Sequence, residues 1–110
     1  MTKGLRLLAA VGSIAICSLQ IHAAFAADEI TIAIDNFTFT PLEVKVKAGT
    51  RVVFVNHDDI PHNVVGKVIK FHSKALDTDE SFAMVFDKPG EIAYFCGLHP
   101  QMTGKITVTP

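Results

Sequence analysis

Basic residues are scarce in this sequence and do not cluster: ten lysines and arginines stand against eleven acidic residues, for a formal net charge of −1. That balance offers no electrostatic footprint for a nucleic acid. Long apolar runs are missing too. The one sustained run, Leu7 to Leu19, covers about 13 residues, short of the roughly 20 that a membrane-spanning helix needs, and no later segment approaches it. Cysteine occurs only twice, as Cys17 and Cys96. No repeat, low-complexity tract or linker divides the chain, which therefore reads as one small domain.

The N-terminus carries the marks of export. Lys3 and Arg6 precede the apolar run, and Ala24-Phe25-Ala26 supplies the small-x-small pattern of a signal-peptidase site. Residues 1–26 read as a cleaved signal peptide and 27–110 as the mature domain, about 84 residues with a net charge near −3. A retained anchor is disfavoured by the length of the run. Lipidation at Cys17 is disfavoured because Ile14-Ala15-Ile16 lacks the small residue expected next to the cysteine. The expected location is the periplasm, with no membrane insertion after cleavage. Cys96 would then be a lone thiol in an oxidising compartment, vulnerable unless something occupies it. An inert buried cysteine is the plainer alternative; its neighbours argue against it.

The mature sequence reads as strands. Ile30, Ile32 and Ile34 alternate with Thr31 and Ala33, and Val44 and Val46 alternate with Glu43, Lys45 and Lys47, the period of a half-buried strand. Further strands are expected over 51–55, 62–65, 68–71, 81–86, 92–96 and 105–109. Breakers at Pro41, Gly49, residues 58–61, Gly66, residues 88–90 and residues 97–104 separate them. Residues 74–80 are the one place suited to a short helical turn. Short strands at this spacing predict an all-β fold, a Greek-key β-sandwich or barrel.

Chemistry concentrates near the C-terminus. Tyr94-Phe95-Cys96-Gly97-Leu98-His99-Pro100-Gln101-Met102 holds a thiolate, an imidazole and a thioether, with two residues between each and the next. On an extended strand they would scatter, whereas a tight loop bent at Gly97, Pro100 and Gly104 could make them converge. Soft sulfur donors with imidazole select copper, while zinc rarely uses methionine. A further donor must come from elsewhere. His62 opens an apolar segment and is the better candidate; His57 lies in an acidic turn and reads as solvent-facing, as does His72. Met84, alternating with Phe82 and Phe86, reads as core.

These two segments, Pro61-His62-Asn63-Val64-Val65 and the Cys96 loop, resemble the cupredoxins, type 1 (blue) copper proteins. The two-and-two spacing is similar to the short ligand loop of the amicyanin-like members, where plastocyanin-like members carry more residues before the methionine. The resemblance spans Ile30 to Val108. It implies His62, Cys96 and His99 as strong equatorial ligands of one copper ion and Met102 as a weak axial one. It also implies that Asn63 ties the two ligand loops together and bonds toward the Cys96 sulfur. Leu98 departs from the proline often found there, and most of the N-terminal extension of amicyanin is absent, so amicyanin's own partner is not carried over.

The expected function is transfer of single electrons between redox partner proteins, without enzymatic activity, by a monomer. His99 would be the electron port, within an apolar docking patch of Leu98, Pro100, Ile60 and Pro61 suited to transient encounters. The alternative is a periplasmic copper carrier that hands the metal to another protein. An oxidase or nitrite reductase would need an open substrate position that this ligand set does not offer.

Overall fold

The structure, a computed structural model, describes residues 28–110; the expected signal peptide, residues 1–26, and the adjoining Ala27 lie outside the described residues. Among the described residues eight strands are formed: β1 (Glu29–Asp35), β2 (Thr38–Thr40), β3 (Glu43–Lys47), β4 (Thr50–Asn56), β5 (Val65–Gly66), β6 (Ser81–Phe86), β7 (Gly90–Cys96) and β8 (His99–Thr109). They make two four-stranded sheets, ordered β2-β1-β4-β6 and β3-β8-β7-β5. β1 runs parallel to β4 and β3 parallel to β8, while the remaining pairs are antiparallel. The chain changes sheet repeatedly on its way, so the all-β sandwich expected from the strand pattern is the fold.

Period-two alternation sets which side chains enter the core. Ile32 and Ile34 of β1, Val52 and Phe54 of β4, and Ile106 and Val108 of β8 are buried between the layers. The same phase carries two residues of interest inward. Cys96 follows Ile92 and Tyr94 on β7, and Met102 precedes Ile106 and Val108 on β8 at even spacing; all are buried. The core is aromatic at its centre, where Tyr94 lies edge-on to Phe39 at 4.8 Å and to Phe54 at 5.2 Å.

Three expectations need correction. Residues 62–65 and 68–71 are not continuous strands: only Val65–Gly66 is regular, with isolated bridges from His62 to Leu76 and from Val65 to His72. The ladder is interrupted because a side chain replaces a backbone partner, the Ser73 hydroxyl accepting the Val64 amide at 2.9 Å. Residues 74–80 do not form a helical turn. Leu76 is fully buried and exchanges both backbone bonds with His62, holding the segment extended. The Glu80 carboxylate then secures a tight turn by accepting the Asp77 amide at 3.0 Å. Finally, residues 97–104 are not a loop throughout, because β8 begins at His99.

Gly104 lies tight against a core ring in the second sheet. A β-carbon there would lie 2.3 Å from the Tyr94 phenol oxygen and ring. That ring is wedged by Phe39 and Phe54 and cannot swing away. Gly104→Ala is therefore expected to lower stability by about 1–3 kcal/mol, read as a fall in the denaturant midpoint at unchanged slope.

Candidate metal centre

Cys96 ends β7 with its sulfur pointing inward, and a two-residue turn, Gly97-Leu98, leads to His99. Across the hairpin Cys96 faces His99, yet Phe95 faces Thr103. Pro100, Gln101 and Met102 are thus extra residues on β8. A bulge there is natural, since proline has no N–H to give a ladder. This bulge does what the expected open loop was meant to do: it brings His99 opposite Cys96, a place that the regular register of β8 would give to Met102.

His62 arrives from the segment between β4 and β5. Its Nδ1 lies 3.5 Å from the Cys96 sulfur, and the Nδ1 of His99 lies 3.9 Å from it. The donor atoms of His62, Cys96 and His99 are all within 4.8 Å of one another. A first-row metal in trigonal geometry, with bonds of about 2.3 Å to sulfur and about 2.0 Å to nitrogen, would hold the two donors roughly 3.7 Å apart. The measured separations bracket that value. His62 and Cys96 are fully buried and His99 is half-buried. Met102 is buried in the same core cluster as Cys96. The donor set fits a copper ion: one thiolate, two imidazoles, and a thioether at hand.

Comparison with known proteins agrees. Residues 7–108 match the model of the cupredoxin-like domain. The chain belongs to the cupredoxin family. It is 34% identical over 87 residues to amicyanin of Paracoccus versutus, covering 74% of this chain and 66% of that protein. Among solved structures it resembles an oxidised methionine-to-leucine variant of amicyanin, with a TM-score of 0.70 at 26% identity, covering 73% of this chain and 81% of that one. It also resembles the copper-containing nitrite reductase of Thermus scotoductus SA-01, with a TM-score of 0.71 at 29% identity, covering 74% of this chain but only 22% of that larger one. The cofactor of this cupredoxin is a single type 1 copper ion.

The other residues singled out in the sequence are placed as follows. The Asn63 side-chain oxygen accepts the Gly97 amide at 2.6 Å, which ties the two segments together. It is the backbone N–H of Asn63, not its side chain, that points at the Cys96 sulfur, at 3.5 Å. Leu98 is half exposed, Pro61 and Pro100 are exposed, and Ile60 is partly covered. His57 lies outside the cluster, 3.6 Å from Asp79, and His72 is exposed.

Sequence reasoning missed three residues of this cupredoxin site. Asn56 is fully buried at the end of β4; its amide donates to the carbonyls of Ile60 and Leu76, and its oxygen accepts the Asp58 amide. Asp58, read as part of an exposed acidic turn, keeps only 12% of its side chain accessible. Its Oδ2 accepts from the Nε2 of His62 at 2.8 Å. That bond places the ring proton on Nε2 and leaves the Nδ1 lone pair facing Cys96, the arrangement typical of a metal-ligating histidine. The spacing Asp58 to His62 was the available signal. Phe37 is the third. Asn36 and Phe37 have φ of 50° and 57° in a two-residue hairpin turn between β1 and β2, where glycine is the usual second residue. Left-handed backbone costs an L-residue about 1–2 kcal/mol. The Phe37 ring stands edge-on to His62 at 5.5 Å and to His99 at 5.3 Å.

Burial pushes the Asp58 carboxyl upward, but bonds from the amides of Phe37 and Asn36 and from His62 outweigh it and hold it below the usual aspartate range. A carboxyl depressed by folding contributes stability above its unfolded value of about 4, and that contribution is lost as pH falls through the folded value. In the metal-free protein, Asp58→Asn should cost about 1–3 kcal/mol at neutral pH. Thermal melts should show the gap between the two proteins closing as pH falls below the ordinary aspartate range; a gap that persisted in acid would mean that the charge is not its source.

Proposed function

We propose that this protein is an exported single-electron carrier whose copper is held by His62, Cys96 and His99, with Met102 as a weak additional ligand. The observation that supports it most is the convergence of two imidazole Nδ1 atoms on one buried thiol, at 3.5 and 3.9 Å, from segments 34 and 3 residues away. When bound, copper supplies the one-electron chemistry by cycling between Cu(I) and Cu(II).

The protein's part is to keep the donors still and reachable. Cys96 is fixed by its strand, His62 by Asp58 and by its backbone pair with Leu76, and the hairpin by Asn63 on Gly97. Donors held in place by the protein move little when the oxidation state changes, which favours fast transfer over catalysis. The family relatives named amicyanin support this non-enzymatic reading. His99 reaches the surface between exposed Leu98 and Pro100, and exposed Phe37 adds to that apolar face. Such a patch suits brief contact with a redox partner protein. Cleavage after residue 26, periplasmic location and a monomeric state complete the proposal.

Titrating the purified protein with Cu(II) should produce an intense blue thiolate-to-copper absorption that saturates at one equivalent and bleaches reversibly with ascorbate. Cys96→Ser should abolish it. A colourless protein that binds only Cu(I) would instead make it a copper carrier. For the docking face, Leu98→Asp should slow electron self-exchange, measured by NMR line broadening, by on the order of tenfold, because a carboxylate must be desolvated at each encounter. An unchanged rate with copper retained would remove Leu98 from the docking surface.

A further inference from the structure

We propose that Phe37 is a positioning residue of the copper site, an aromatic wedge gripped by Asp58 that keeps the His62 and His99 rings at their donor positions. This rests on the copper reading above. The wedge is set at a backbone position that disfavours it. Both central residues of the 35–38 turn have positive φ, and the second, at 57°, carries a phenylalanine where glycine would sit without strain. A bulky residue in that conformation persists only where its surroundings impose it, and such positions gather at functional sites.

Asp58 imposes it. Its Oδ1 accepts the Asn36 amide at 2.6 Å, and its Oδ2 accepts both the Phe37 amide at 2.9 Å and the His62 ring at 2.8 Å. One carboxylate oxygen therefore fixes the wedge and a candidate ligand relative to each other. Phe37 itself is half exposed, so core packing does not explain the residue. What its ring touches is the pair of histidines, edge-on at 88° to each, with the two imidazoles 4.9 Å apart beside it. His99, which has no hydrogen bond other than its approach to Cys96 among the described residues, is the ring that most needs such a stop.

The decisive variant is Phe37→Gly, because it relieves the turn while removing the wedge. Three quantities are compared with wild type: the melting temperature of the metal-free protein, the rate at which loaded Cu(I) passes to a coloured chelator such as bicinchoninate, and the NMR line widths of the His99 ring in the metal-free protein. The expected result is a melting temperature equal to or above wild type, copper release more than about threefold faster, and a His99 ring averaging between orientations. Phe37→Trp should restore slow release. A merely structural residue would move the melting temperature and leave release unchanged. Should the glycine variant not fold, Phe37→Leu decides by the same rate, since it keeps apolar bulk without the ring. Release within threefold of wild type overturns the wedge while leaving the copper reading intact; a wild-type protein that takes up no copper overturns both.

Discussion

The Asp58 carboxylate is the point where the β1–β2 turn and the segment that carries His62 are locked together. It receives two amides from the β1–β2 turn, its own amide is held by Asn56 at the end of β4, and it takes the outer nitrogen of His62. A charge kept mostly out of water is tolerable only when its lone pairs are filled, and here the filling groups are the ones that must be positioned. The orientation of His62, the shape of the aromatic turn and the course of residues 56–62 are thus consequences of one electrostatic requirement.

The opposite wall of the site is shaped by a constraint of another kind. Strand phase delivers Cys96 and Met102 inward without any special contact, but a regular hairpin could not also present His99. The bulge at residues 100–102 resolves the conflict. It leaves the paired part of β8 free to hold the second sheet together while its first residues are spent on the site. Asn63, bonded to Gly97, closes the gap between the two walls.

Much of this was legible in the sequence. The alternation of Ile30-Ile32-Ile34 and of Val44-Val46 announces both the strands and their buried faces. The Cys-x-x-His-x-x-Met spacing and the His-Asn pair identify the donors because so few residue types can play that part. What stayed hidden depends on tertiary partners. Val64 and Val65 look like strand residues, and only the Ser73 hydroxyl reveals why the ladder stops. Asp58 looks like a solvated loop acid because charge gives no sign of burial until the amides that surround it are known. Phe37 looked like nothing in particular, since a positive φ is a property of the turn and not of the residue that occupies it.

The positions of the donors along the chain have one more implication. Cys96, His99 and Met102 lie within seven residues, whereas His62 is 34 residues from the cysteine and joins them only when the two layers have closed. An unfolded chain thus already carries a soft, local grip for Cu(I), and only the added affinity from His62 and from the enclosing sandwich distinguishes the native state. By mass action a ligand stabilises the fold only to the extent that it prefers the folded form. On the proposed ligand set, copper therefore reinforces this fold only in proportion to what the distant histidine and the enclosing sandwich add.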